Sequence, residues 1–180
     1  AQQITWDLTE LFPSINDPKI SQAITETKAL ANKFEQAYRG KITSLTAEDL
    51  LRCLQDIEAF QKSFSNVTLY SSLSFAANMT LPETQALNDK INKLEAAIGK
   101  QLAFYSLELG KLVKTKPQII NEPALNNYRH MLERVQRRVA HQLTEIEEQL
   151  IIEKDQFGIY AWEELQSKWL NTRTFEVTVM

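Results

Sequence analysis

Apolar residues recur at helical spacing through most of the chain. Between about Asp17 and Arg39 they fall at Ile20, Ile24, Leu30, Ala31 and Phe34, and Tyr38-Arg39-Gly40 supplies a glycine stop. Thr46-Ala47-Glu48-Asp49 then places a hydroxyl cap three residues before a carboxylate, ahead of Leu50, Leu54, Ile57, Phe64 and Val67. This second helix is predicted to run to about Asn78, a rod of roughly 45 Å that needs equally long neighbours. Thr80-Leu81-Pro82-Glu83 reads as a capping box for a third helix with Leu87, Ile91, Leu94 and Ile98 on one face. The stripe resumes, shifted, at Leu102, Tyr105, Leu109 and Leu112. A drifting seam suits a packed bundle better than an extended coiled coil. Two long antiparallel helices joined at Met79 to Leu81 are expected.

After the break at Lys116-Pro117, a fourth helix is expected from about Asn121 to Pro123 onward, with Leu125, Tyr128, Leu132, Val135 and Val139 on a narrow face. Thr144-Glu145-Ile146-Glu147 caps a fifth, running through Leu150, Ile151 and Ile152 toward Asp155 to Gly158. A sixth is expected over about Ile159 to Leu170 with Trp162, Leu165 and Trp169 inward. The chain closes differently. Arg173, Phe175, Val177 and Val179 alternate with Thr172, Thr174, Glu176 and Thr178, the period of an amphipathic strand. A lone strand leaves its backbone donors and acceptors unpaired, and the run Gln3 to Trp6 is short. The expectation is therefore an all-α bundle of about six helices with a single C-terminal β-strand. Residues 1–170 would form the helical domain and 171–180 the first strand of an absent domain.

Composition sharpens this picture. With 180 residues, 43% apolar and 24% charged, one domain with a real core is expected, and four glycines disfavour turn-rich all-β folds. Twenty basic against 23 acidic residues leave a net charge of −3, which gives no general attraction to nucleic acid. A single cysteine, Cys53, cannot form an internal disulfide, so a cytoplasmic setting is favoured. The start AQQITWDLTE lacks a basic, apolar leader, and no stretch approaches the length needed to span a bilayer.

Chemistry has few candidates. His130 and His141 are the only histidines, and eleven helical residues separate them by about 16 Å along the axis, so both read as surface residues. The zinc signature H-E-x-x-H does not occur, nor does a nucleophile elbow or a phosphate-cradling loop. Cys53 flanks Leu50, Leu54 and Ile57 and reads as core. The densest charge is RHMLERVQRRVAH, where Arg129, Arg134, Arg137 and Arg138 outweigh Glu133. This Arg129 to His141 face reads as solvated, offset by Glu145, Glu147, Glu148 and Glu153; its functional reading is a surface for carboxylates or a partner protein. Phe104, Tyr105, Trp162 and Trp169 read as core packing, with a substrate groove as the other possibility.

The order of landmarks resembles the N-terminal region of oligoendopeptidase F, a zinc metallopeptidase family related to thimet oligopeptidase. The resemblance rests on WDLTELFPSINDPKI, LYSSLSFAANM, FYSLELGKL, YRHMLERVQRRVAHQLTEIEEQLIIEKDQFGIYAWEEL and TRTFEV, which together cover nearly the whole chain. It implies a cytoplasmic enzyme that cleaves short peptides in a deep groove, with a helical N-terminal domain as wall and lid. In such enzymes H-E-x-x-H and a further carboxylate hold Zn²⁺. None of those residues lies in this chain, so no catalytic, metal or substrate-binding position carries over. The piece alone is expected to be inert, its partner a catalytic domain in cis, with neither nucleic acid nor membrane involved. The alternative is an autonomous helical interaction module that docks a partner through the basic fourth-helix face.

Overall fold

The computed structural model describes residues 7–174. They form α1 (Pro18–Tyr38), α2 (Ala47–Ala77), α3 (Pro82–Thr115), α4 (Arg129–Arg138), α5 (Glu145–Phe157) and α6 (Ile159–Asn171), linked in places by 3₁₀ turns. The expected all-helical bundle is present, and no strand occurs among the described residues.

Local chemistry sets the helix starts. Asp17 Oδ1 accepts from the Lys19 amide at 2.8 Å ahead of Pro18, whose missing N–H is one the first turn does not use. Thr46 Oγ1 accepts from the Asp49 amide at 3.2 Å. Thr144 and Glu147 form a reciprocal capping box. Thr80 does not cap α3 as expected. Its amide and hydroxyl both bind Asn78 Oδ1, so Leu81 occupies the cap position without a side-chain bond and Pro82 opens the helix. Gly40 takes φ +77°, the left-handed conformation glycine adopts without penalty, and turns the chain out of α1. Glu108 of α3 secures that turn, accepting from the amides of Gly40 (2.7 Å) and Ile42 (3.1 Å).

The core lies among α1, α2 and α3. The two long helices run antiparallel, so Phe75 near the end of α2 and Asn88 near the start of α3 line one cavity, and Ile57 and Tyr105 line another. Leu50, Cys53, Leu54, Phe104, Leu109 and Leu112 are almost wholly buried. Before α1, Phe12 packs edge-on against Tyr70, ring centroids 5.1 Å apart.

The second half departs from expectation. The fourth helix does not begin near Pro123: 3₁₀ turns occupy Pro117–Asn121 and Pro123–Tyr128, and α4 spans only ten residues. Each proline lacks the N–H an α-helix would use and holds its predecessor out of the helical region; Glu122 has ψ 131°. Leu125 and Leu132 are nonetheless buried, while Val139 falls in a closing 3₁₀ turn. The strand expected from Asn171 does not start there. Asn171 belongs to α6, the Thr172 amide donates back to Lys168 O, and Thr172 to Thr174 are not extended pairs; residues 175–180 of that expectation lie outside the described residues.

Candidate functional site

α5 and α6 meet at the single residue Gly158 and lie against the bundle on their polar side. α5 packs along α3, where the absent side chain of Gly99 leaves room for Ile152. The rest of that contact is hydrophilic. Arg39 donates to Glu35 (2.8 Å), to Glu145 of α5 (2.7 Å) and to Gln101 O of α3 (2.8 Å), with its guanidinium 4.5 Å from the Phe104 ring centroid. Gln149 donates to Lys100 O, and Lys100 pairs with Glu153 at 3.3 Å. Just upstream, Gln142 lies over Gly110 and donates to Ser106 O at 2.7 Å; a Cβ on Gly110 would stand 2.2 Å from Gln142 Oε1. α6 turns Glu164, Ser167 and Lys168 toward the ends of α2 and α3, with Lys168 bonded to Glu164 and 5.7 Å from the Phe75 ring.

The apolar stripe of these two helices therefore faces outward. Trp162, Leu165 and Trp169, expected inward, are 70%, 56% and 56% exposed, and neither α5 nor α6 has a buried residue. Ile146, Leu150, Phe157 and Ile159 are exposed as well. Large apolar side chains exposed in this number on one pair of helices are what an interaction surface offers. An amphipathic stripe shows that a helix has an apolar side but not what that side touches. α3 and Arg39 offer α5 a guanidinium, the Lys100 carbonyl and the Lys100 ammonium, and its polar residues Glu145, Gln149 and Glu153 match them.

The other candidates are placed as follows. Phe104 is buried and Tyr105 packs on the core, their rings 6.2 and 5.6 Å from Phe34. Cys53 is buried, and desolvation followed by the nearby Asp56 and Glu108 carboxylates pushes its thiol up to about 12, which suppresses the nucleophilic thiolate. His130, His141, Arg134, Arg137 and Arg138 are exposed. Among the described residues only Arg129 of that basic face has an ion-pair partner, Glu133 at 3.2 Å. No three acidic, histidine or cysteine side chains converge among the described residues as a metal requires, so those residues do not fit a zinc ion. No described helix is long and apolar enough to cross a membrane. The multiple bonds of Arg39 and the Gln142 contact with Gly110 carried no sequence signal, because both depend on residues far apart in the chain.

The family described as Oligopeptidase F matches residues 117–175, the stretch that holds α4, α5 and α6. Among curated proteins, "Oligoendopeptidase F, plasmid" of Lactococcus lactis subsp. cremoris is 26% identical over 155 residues, covering 83% of this chain and 25% of its own length. An oligoendopeptidase F homolog of Lactococcus lactis subsp. lactis matches to the same extent. Group B oligopeptidase PepB of Streptococcus agalactiae is 23% identical over 152 residues, again 83% of this chain and 25% of its own. The chain spans about a quarter of the length of the curated relatives it matches. No solved structure matches.

Proposed function

We propose, on the premise that this chain is an N-terminal domain of the oligoendopeptidase F kind, that it serves as the non-catalytic wall or lid of the substrate groove in a zinc-dependent peptidase acting on short peptides. The observation that carries the reading is the outward apolar stripe of α5 and α6, which falls inside the segment that the family matches. In this reading Trp162, Leu165 and Trp169 seat the catalytic part of the same polypeptide. Removing several such side chains from water contributes on the order of 1 kcal/mol or more each, enough to fix a domain in place.

A wall acts by exclusion. It admits extended peptides and turns away folded proteins, and a lid made of a preformed bundle moves as one body. Cleavage assays on the complete peptidase test this: short peptides are cut readily and a folded protein containing the same bond is not. Equal rates on both substrates would remove the wall from the account.

The three exposed arginines on α4 without a carboxylate partner among the described residues favour a second reading, an interaction module that docks an acidic partner. The two separate at the gene, where the peptidase reading requires H-E-x-x-H downstream of Met180.

A further inference from the structure

A cavity of about 570 Å³ opens between the end of α2, the first half of α3 and the elbow of α5 and α6. Its size is that of a small-ligand site. Glu95 of α3, Asp155 of α5 and Glu163 of α6 line it, each on a different element, and none has an ion-pair partner among the described residues. The lysines beside it are committed elsewhere: Lys168 is held by Glu164 at 2.5 Å and Lys100 by Glu153 at 3.3 Å. The space is thus left with excess negative charge.

A second feature is independent of that charge. Asn88, on the cavity wall, is only 8% exposed, yet its side-chain amide makes no hydrogen bond within the described residues. The buried polar atoms without a partner among the described residues are Thr27 Oγ1 and Ser71 Oγ, so the Asn88 amide is not sealed off but stands at the cavity wall as a donor and acceptor for a bound group. Phe75 and Tyr160 add aromatic surface at the walls.

We infer that this cavity binds a guanidinium group, the end of an arginine side chain of a peptide. The carboxylates come from three separate helices and do not converge as metal ligands among the described residues, which argues against a cation that needs them within about 2.5 Å of one point. A planar group with five N–H donors reaches several acceptors at once and stacks on aromatic rings. An ammonium group has three donors at one point and fits the same walls less completely. Partial desolvation raises the Glu95 carboxyl above its ordinary value, and a bound cation would bring it back down.

The test is a nuclear magnetic resonance titration of the 180-residue chain with N-acetyl-arginine methylamide. Three probes accompany it: the uncharged citrulline analogue, the lysine analogue, and glycine amide, which carries a free amino end. Saturable shifts are expected in the Asn88 side-chain amide and the backbone around Glu95, Asp155 and Tyr160. The citrulline analogue should bind about tenfold more weakly or worse, the difference one or two charge-assisted hydrogen bonds make. The double variant Asp155→Asn, Glu163→Gln should lose about tenfold in arginine affinity while keeping the wild-type spectrum elsewhere. Asn88→Ala, if folded, should weaken binding too. Equal shifts with arginine and citrulline, non-saturating shifts, or tighter binding of glycine amide would overturn the assignment. None of these outcomes bears on whether α5 and α6 seat a catalytic domain, because the probes address the polar side of those helices.

Discussion

Phe104 on α3 and Trp162 on α6 are both large aromatic residues on the apolar side of an amphipathic helix, yet 1% of the first is exposed and 70% of the second. α1, α2 and α3 close on one another, each apolar face covering the next, and they hold most of the core. α5 and α6 attach through Arg39, Gln149, Lys100 and their partners, and leave the apolar side free. The difference shows that amphipathic pattern and burial separate when a helix has more than one surface to satisfy. Ile119, Ile120, Leu125 and Leu132 from the segment after α3 complete that core. The last two helices are held on one side by polar contacts and leave large apolar side chains exposed on the other.

Substitutions should divide along that line. Phe104→Ala removes a buried ring and is expected to cost about 3–5 kcal/mol in denaturant unfolding of the chain. Trp162→Ala should fall within about 0.5 kcal/mol in the same experiment, since it removes little buried area. A large loss at Trp162 would mean that the outward face is covered within this chain.

Arg39→Met tests the polar attachment. It breaks the links to Glu145 and Gln101 O while keeping an apolar stem over Phe104, and a cost of about 1–2 kcal/mol is expected. Amide exchange should speed up in α5 and leave the α2–α3 core protected. Uniform loss of protection would show one cooperative unit instead of two.

Thr144→Ala removes half of the capping box and should cost about 1 kcal/mol, read as fraying at the start of α5. Acid should act at the same place. The Glu147 carboxyl is held below its usual value by the Thr144 backbone and side-chain hydrogen bonds. Because its folded value is the lower one, its contribution is present above the unfolded value near 4.5 and is lost as pH falls through the folded value. The start of α5 should therefore loosen in acid ahead of the core. Gly40→Ala meets no neighbouring atom and should cost only the left-handed backbone penalty, about 1 kcal/mol.

What was legible in the sequence follows the same division. Asp17, Thr46 and Thr144 announced their helices because a cap is a local interaction among neighbouring residues. The stripes of α1 to α3 were legible because each has its partner nearby in the chain. Thr80 misled because Asn78, two residues earlier, offered its side chain a competing acceptor. The extent of α4 was hidden by prolines that left the buried positions in place while changing the turn between them. The facing of α6 was not legible: Trp162, Leu165 and Trp169 were expected inward, whereas its polar side, through Lys168 and Asn171, meets Phe75 and Met79 at the end of α2. Asn88 gave no sign at all; a buried amide is recognised only once the walls around it are known.

The central claim is that the outward stripe of α5 and α6 is covered by the rest of a longer polypeptide. Iodide quenching of tryptophan fluorescence tests it directly, in a Trp6→Phe background so that Trp162 and Trp169 are the reporters. Both should be readily quenched in the 180-residue chain and strongly protected, with blue-shifted emission, when the same chain is followed by a peptidase catalytic region. Equal quenching in the two proteins would contradict the account and leave the face to some other partner.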